Sequence, residues 1–225
     1  MDVIFKARIK FSKTDEAAYI SHLDLMHCMQ RVIARAQLPV WYTEGFNQHI
    51  YISVALPLST GYSGECEFLD FNCTADKIPD HAVENMNAVM PSGLRVLEIY
   101  PLSDGGKKVR EIAYSKFEIT WEFDNGVPET FCKDVEELFA REEILIMKRS
   151  KRGEKQVNIK EYIKGISLEA DKDCVRAYAI LASGNNNLSP EYITKTIRAE
   201  LPQYEPDGVN YHHLMIYDTN LDEFR

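Results

Sequence analysis

The alternation of apolar and basic side chains at the start of the chain constrains the fold more than any other feature of the sequence. Successive side chains of a β-strand point to opposite faces of a sheet, so this pattern predicts a strand with one core face. The other face is expected to stay wet or to meet an anion. The apolar positions are Val3, Phe5, Ala7, Ile9 and Phe11, and the basic ones are Lys6, Arg8 and Lys10.

The order of the elements after this strand predicts the fold class. Ser21 starts a helix whose apolar residues recur at helical spacing until Pro39, and two strands, a second helix and a further strand follow. The order strand, helix, strand, strand, helix, strand is that of a ferredoxin-like (βαββαβ) domain. The first helix is expected to pack through Leu25, Met29, Val32 and Ile33.

A second half with the same order of elements is predicted after a short linker, Ser103-Asp104-Gly105-Gly106. A length of 225 residues suits two domains of about a hundred residues each. We therefore predict an α+β protein of two tandem ferredoxin-like halves with antiparallel sheets, in domains at residues 1–104 and 110–225. The first domain would carry the Ser-His-Leu-Asp and Gly-Phe-Asn motifs, and the second a basic hairpin.

Charge and cysteine usage exclude several classes of function. The 35 acidic and 26 basic side chains give a net charge of −9, which on average repels phosphate backbones, so any contact with nucleic acid must be local. No apolar run is long enough to span a membrane, and a cytoplasmic location without a membrane partner is expected.

The five cysteines contain no Cys-x-x-Cys pair, which argues against a disulfide framework, a zinc site or an iron–sulfur cluster. No metal or cofactor is therefore expected in this chain.

The densest group of polar residues lies around the start of the first helix. Ser21 and Asp24 have the spacing of a helix cap, and His22 would lie at the positive end of the helix dipole. The dipole disfavours an imidazolium there, so a neutral imidazole could accept a proton, and free backbone N–H groups could hold an anion. The alternative is that Ser21 and Asp24 only cap the helix while His22 is solvated.

The loop Gly45–His49 completes the predicted ligand site. A Gly-Phe-Asn sequence between two extended segments indicates unusual backbone dihedrals and an aromatic ring near the loop surface, where it could stack on a base or plug the core. We expect this loop to lie beside His22 and Asp24. The predicted ligand-binding residues are Tyr19, Ser21, His22, Asp24, Arg31, Arg35, Tyr42, Gly45, Phe46, Asn47 and His49.

A basic segment, residues 148–155, locally reverses the acidic charge of the chain. It carries five positive side chains and one negative one at a predicted hairpin. The segment is either an arm that contacts phosphates or a solvated hairpin tip whose charges keep an edge strand from pairing. Together with the basic face of the first strand, it predicts nucleic-acid contacts at Lys6, Arg8, Lys10, Lys148, Arg149, Lys151, Arg152 and Lys155.

Several motifs in the first part of the chain, taken together, carry a family resemblance. They are Tyr19–Leu25, Arg35–Pro39, Tyr42–His49, and Ala55–Leu58 with Gly61, Ser63 and Glu67. In these motifs the chain resembles the uncharacterised radical-SAM-linked protein family, whose members are encoded beside a radical-SAM protein or fused to its C-terminal end. It departs from the family at His27, where arginine is more usual, and at Gln48, where proline is more usual. The resemblance implies a radical-SAM protein as partner and places the cluster-binding cysteines in that neighbour.

Three functions are compatible with these features. We favour an accessory module that binds RNA, for example a tRNA, and presents it to a radical-SAM modifying enzyme, without needing a reaction of its own. The second is a metal-independent ribonuclease in which His22 is the general base or acid and Arg31 or Lys148 stabilises the developing charge. The predicted architecture, with a histidine near the first helix, also resembles the CRISPR repeat-processing endonucleases. The third is a protein-interaction module that docks the radical-SAM partner without nucleic acid, which the acidic net charge favours.

Overall fold

The computed structural model describes residues 2–150 and 153–225, and of Arg149 and Ser150 it describes only the backbone. Two of the predicted nucleic-acid contacts, Lys151 and Arg152, lie outside the described residues, as does the side chain of Arg149.

The chain divides into two compact units. Unit 1 extends to Glu111 and also includes Glu223–Arg225, while unit 2 is Ile112–Asp222. The predicted linker, Ser103 to Gly106, lies shortly before this division. The last three residues belong to unit 1, although they follow unit 2 in the sequence.

Unit 1 is built from four strands and two α-helices in the described residues, in the predicted order. Its elements are β1 (Phe5–Lys13), α1 (His22–Arg35), β2 (Ile52–Ala55), β3 (Ser63–Cys73), α2 (Ala82–Asn87) and β4 (Leu94–Pro101). The strands pair in the order β4-β1-β3-β2, and each of these neighbouring pairs is antiparallel. The α+β class and the antiparallel pairing are confirmed.

The apolar face of α1 forms much of the core of unit 1. Leu25, Met29, Val32 and Ile33 are buried, which confirms the predicted packing of this helix. They join one cluster with apolar residues of β1 and β3. Burying each such side chain stabilises the fold by about 1.5–3 kcal/mol. The helix ends at Arg35, a few residues before its predicted end.

Unit 2 has the same alternation of strands and helices, with an additional two-stranded hairpin after its first helix. Its elements are β5 (Tyr114–Glu122), α3 (Phe131–Ala140), β6 (Leu145–Ser150), β7 (Gly153–Asn158), β8 (Ile163–Ala170), β9 (Cys174–Ala182), α4 (Glu191–Glu200) and β10 (Gly208–Tyr217). Four of these strands pair in the antiparallel order β10-β5-β9-β8, while β6 and β7 form a separate hairpin.

The strand β8 is the element of unit 2 that the sequence does not reveal. The apolar alternation of this segment is broken around Gly165, where the register also shifts, and only the short stretch Ile166, Leu168 and Ala170 follows a period of two. Its burial pattern is correspondingly irregular, with exposed and half-buried residues in no strict alternation. Pairing with β9 decides its conformation.

Gly93, in the turn before β4, is expected not to tolerate a side chain. Its φ is +77°, and a Cβ atom there would lie 2.5 Å from the carbonyl oxygen of Thr14. The amide of Thr14 donates to the carbonyl oxygen of Gly93 at 2.7 Å, which holds the two segments together. We expect Gly93→Ala to lower the unfolding free energy of unit 1 by about 3 kcal/mol, because left-handed strain and overpacking add.

The control for Gly93 is Gly61, which separates strain from overpacking. Gly61 has a φ of +88°, but a Cβ atom there would meet nothing within 4 Å. Gly61→Ala should therefore cost only the strain, about 1–2 kcal/mol. Urea unfolding of both variants measures the difference, and equal losses would contradict the predicted clash with Thr14.

Candidate functional site

A shallow, solvent-open pocket lies on unit 1 between α1 and the segment that follows it. We call it the α1–loop pocket. It has a volume of about 340 Å³, within the range of ligand sites. It is lined by His27, Gln30, Arg31, Ala34, Tyr42, His49 and Ile50.

The helical wall of the pocket is one face of α1. His27, Gln30, Arg31 and Ala34 have the spacing i, i+3, i+4, i+7, which places them on one side of a helix. This face lies outside the apolar stripe that α1 buries. The Gln30 side-chain amide donates to the carbonyl oxygen of Ile50 at 2.9 Å and so ties the opposite wall to the helix.

The opposite wall is a hairpin-like loop closed by backbone contacts. Tyr42 and Ile50 form an antiparallel bridge, and the amide of Thr43 donates to the carbonyl oxygen of His49 at 2.8 Å. Gly45 has a φ of +111°, the unusual backbone dihedral that the motif predicted. Phe46, next to it, is fully exposed. The loop therefore presents an aromatic ring to solvent instead of plugging the core.

The imidazole of His49 is oriented by its own loop. Its Nδ1 atom lies 3.1 Å from the carbonyl oxygen of Asn47 and 3.1 Å from the hydroxyl oxygen of Thr43. Because a carbonyl oxygen can only accept, the contact with Asn47 assigns the proton to Nδ1. The Nε2 atom is then left to accept a hydrogen bond from a ligand.

Of the predicted ligand residues, the structure brings Arg31, Tyr42 and His49 into this pocket, with Gly45, Phe46 and Asn47 in the same loop. Gln30, Ala34 and Ile50 also line it and were not predicted, although Ala34 has helical spacing, i+3, from Arg31 in the sequence. His27, for which the sequence suggested no role, faces the same pocket.

Arg35 lies outside the α1–loop pocket and lines a second depression of about 360 Å³. Arg31 lines both, so it borders the two concave surfaces. Cys28 also lines the second depression, where burial raises the pKa of its thiol although Arg31 and Arg35 lower it. All five cysteines of the chain are free thiols.

The residues at the start of α1 form a helix cap and do not line the α1–loop pocket. The Ser21 hydroxyl donates to the Asp24 carboxylate at 2.7 Å, and it accepts from the Asp24 amide at 3.2 Å. His22 is exposed, and in the described part of the chain its ring makes no hydrogen bond or ion pair. Tyr19 is 70% exposed. This is the alternative in which Ser21 and Asp24 cap the helix and His22 is solvated.

The basic face of β1 is not an exposed stripe, which corrects the expectation for two of its three residues. Arg8 is fully buried, and its guanidinium holds both oxygens of Asp70 at 2.6 and 2.9 Å. Lys10 is paired with Glu223 at 3.1 Å. Of the three, only Lys6 is exposed. The anion that this face meets is a carboxylate of the chain itself.

The basic segment contributes two basic side chains that the structure describes. Lys148 on β6 is half-buried, with its Nζ atom 4.2 Å from the ring centroid of Tyr162, and burial lowers the pKa of this lysine. Lys155 on β7 is exposed and pairs with Lys148 in the register of the hairpin.

None of the helices described is long and apolar enough to cross a membrane.

Comparisons with known proteins identify a family. No curated protein matches the chain. A solved structure, the crystal structure of an unknown protein from Galdieria sulphuraria, is 9% identical over 93% of this chain and 96% of that chain. Its TM-score is 0.25, too low to show a shared fold. A family model described as "Uncharacterized protein conserved in bacteria" matches residues 6–190. That match covers most of the sequence, so the chain belongs to this bacterial family, DUF2344.

Proposed function

We propose that this chain is an accessory RNA-binding module that presents a tRNA to a separately encoded radical-SAM enzyme. The observation that carries the proposal is the α1–loop pocket, which is lined by Arg31, Tyr42 and the imidazoles of His27 and His49. The loop that forms one wall of this pocket also carries the fully exposed ring of Phe46. Unpaired bases in RNA are recognised by stacking on aromatic rings and by hydrogen bonds to their edges. Both kinds of group are present here.

The local charge of α1 supports an anionic ligand in spite of the net charge of −9. After Asp24 the helix contains no acidic residue, and its only formally charged side chains are Arg31 and Arg35. Both are exposed, and each lines a depression that a phosphate could enter. Glu44 is the acidic residue of the neighbouring loop. The site would therefore bind RNA through a few local contacts, and the rest of the surface would repel it.

The radical-SAM partner and the domain architecture belong to the same proposal. The partner rests on the resemblance carried by the motifs of residues 19–67. The two units share a strand order, β4-β1-β3-β2 in unit 1 and β10-β5-β9-β8 in unit 2. Counted along the chain, a helix follows the first and the third of the four strands in each unit. This supports two tandem ferredoxin-like halves, with the β6–β7 hairpin inserted in the second.

Binding of fluorescein-labelled total tRNA at low salt, followed by anisotropy, tests the proposal. We expect Phe46→Ala to weaken binding by about 5- to 150-fold, because stacking of one base on an aromatic ring contributes about 1–3 kcal/mol. Arg31→Ala should flatten the slope of log affinity against log salt by about 0.7, the share of one phosphate contact on a single strand. Phe46→Trp should retain binding.

Arg95→Ala is the matched control for the charge. Arg95 is an exposed arginine of unit 1 on β4 that does not line the α1–loop pocket. Its loss should leave affinity and salt slope unchanged. The proposal is wrong if the wild-type chain has no affinity for tRNA at low salt. It is also wrong if Arg31→Ala and Arg95→Ala change the affinity and the salt slope equally.

A second candidate function is docking of the radical-SAM partner without nucleic acid. Tyr19 and Leu23 at the start of α1 are 70% and 68% exposed, and apolar side chains so exposed favour a protein partner. Binding that changes little with salt and is lost in Leu23→Arg would favour this function. The ribonuclease alternative has no comparable support, because His22 has no partner in the described residues that could orient it.

A further inference from the structure

Unit 2 contains a polar pocket that the proposed function does not use. It lies between the start of β5, the 3-10 helix Ile159–Tyr162 that precedes β8, and the turn after β9. Its volume is about 330 Å³, within the range of small-ligand sites. We call it the tyrosine pocket; the lining residues used below are Tyr114, Glu161, Tyr162, Ser183, Asn185 and Asn186.

The polar groups of this pocket are available to a ligand. In the residues that the structure describes, the side chains of Glu161, Asn185 and Asn186 make no hydrogen bond or ion pair within the protein. A carboxamide can donate and accept at the same time, whereas an ionised carboxylate only accepts. The set therefore matches a planar group whose edge carries an amino group next to a ring nitrogen.

The turn that carries the two asparagines is fixed to the segment that leads into β5. The amide of Ser183 donates to the carbonyl oxygen of Ala113 at 2.8 Å. Gly184 has a φ of +70°, and a Cβ atom there would lie 2.6 Å from the carbonyl oxygen of Ile112. Only glycine allows this close approach, so the turn is held against the strand and the pocket is largely formed before a ligand arrives.

Two ammonium groups stand over the rings of the pocket. The Nζ atom of Lys148 lies 4.2 Å from the ring centroid of Tyr162, and that of Lys164 lies 6.0 Å from the ring centroid of Tyr114. Attraction to the ring faces holds cations at such positions. Lys148 belongs to the basic segment of residues 148–155, so that segment is connected to this pocket through Tyr162.

The geometry points to a nucleotide site: the tyrosine pocket binds a nucleobase with an exocyclic amino group, and Lys148 and Lys164 bind its phosphate. Adenine, cytosine and guanine offer the amino donor that Glu161 can accept, whereas the carbonyl oxygens of uracil would face a carboxylate. The nucleotide could be free in solution or part of an RNA strand. The inference goes beyond the proposed function, since it rests on unit 2 alone and holds without the α1–loop pocket.

Calorimetric titration of the full chain with AMP, CMP and UMP, and with a single-stranded oligoadenylate, tests this site. We expect AMP and CMP to bind at least about tenfold more tightly than UMP. Asn186→Ala should weaken AMP binding by about tenfold, and Glu161→Gln should remove the discrimination against UMP. Lys148→Ala and Lys164→Ala should weaken AMP but leave adenosine, which has no phosphate, unaffected.

Matched controls make the result specific to this pocket. Asn187 is the exposed neighbour of Asn186 and does not line the pocket, so Asn187→Ala should bind AMP as the wild type does. Titrating AMP into Phe46→Ala, which lacks the base-stacking ring of the α1–loop pocket, separates the two sites: the AMP binding that remains in this variant belongs to the tyrosine pocket. If AMP displaces bound oligoadenylate, the natural ligand is a nucleotide within an RNA strand. If AMP binds and oligoadenylate does not, the natural ligand is a free nucleotide. Absence of both, or equal behaviour of Asn186→Ala and Asn187→Ala, would overturn the inference.

Discussion

Replacing Asp70 with alanine is expected to destabilise unit 1 by about 3–5 kcal/mol, because it leaves the guanidinium of Arg8 buried without its counter-charge. Arg8 has no exposed surface, and its Nε and Nη2 atoms donate to the two oxygens of Asp70 at 2.6 and 2.9 Å. The two residues face each other directly in the register of β1 and β3.

Two of the other contacts of Arg8 carry no charge. Its Nη1 atom donates to the backbone oxygens of Lys107 and Arg225 at 2.8 and 3.1 Å, and the guanidinium lies 4.6 Å from the ring centroid of Phe224. The carbonyl group of Lys107 and the ring of Phe224 are neutral, so they stabilise the guanidinium but do not offset its charge as the paired carboxylate of Asp70 does.

The control for Asp70 replaces both partners by apolar side chains of similar size. The double variant Arg8→Met, Asp70→Leu should recover most of the stability, because no buried charge remains. Hydrogen exchange of the β1 and β3 amides measures the loss in unit 1 separately from unit 2. A loss below about 1 kcal/mol in Asp70→Ala would mean that Arg8 reaches water, and the prediction would be wrong.

The environment of Arg8 also marks the limit of what the sequence could predict about the fold. The alternation in β1 identifies the strand and its core face, and the spacing of Leu25, Met29 and Val32 identifies the buried face of α1. Whether the second face of β1 is wet depends on what covers it. The residues that do so are 62 and 217 positions away in the chain, at Asp70 and Arg225. A local pattern contains no information about contacts at that separation.

The candidate site was predictable in composition but not in its arrangement. Arg31, Tyr42 and His49 lie in one pocket, while His22 does not line it. The reason is the length of the helix: nine residues separate His22 from Arg31, or roughly 14 Å along the axis at 1.5 Å per residue. The loop packs against the middle of α1, where Gln30 holds Ile50, and not against its start.

Phe224 is expected to contribute as much to the stability of unit 1 as a core residue from the part before Glu111, although it follows all of unit 2 in the sequence. Its ring is buried and packs edge-on against Phe68 at 5.2 Å between centroids. It also covers the guanidinium of Arg8. We expect Phe224→Ala to lower the unfolding free energy of unit 1 by about 3–5 kcal/mol, the usual cost of emptying a buried phenylalanine site.

Its neighbour Glu223 provides the control for this last prediction, because both belong to the same three-residue segment. The Glu223 side chain is 53% exposed and pairs with Lys10, so Glu223→Ala should cost less than about 1 kcal/mol. Hydrogen exchange of the β1 and β3 amides should separate the two variants clearly. Because the ring of Phe224 also shields the Arg8–Asp70 pair from water, the effects of Phe224→Ala and Asp70→Ala should not add. If Phe224→Ala behaves like Glu223→Ala, the segment does not contribute to the core of unit 1. If the losses in Phe224→Ala and Asp70→Ala add strictly in the double variant, the ring and the ion pair act independently.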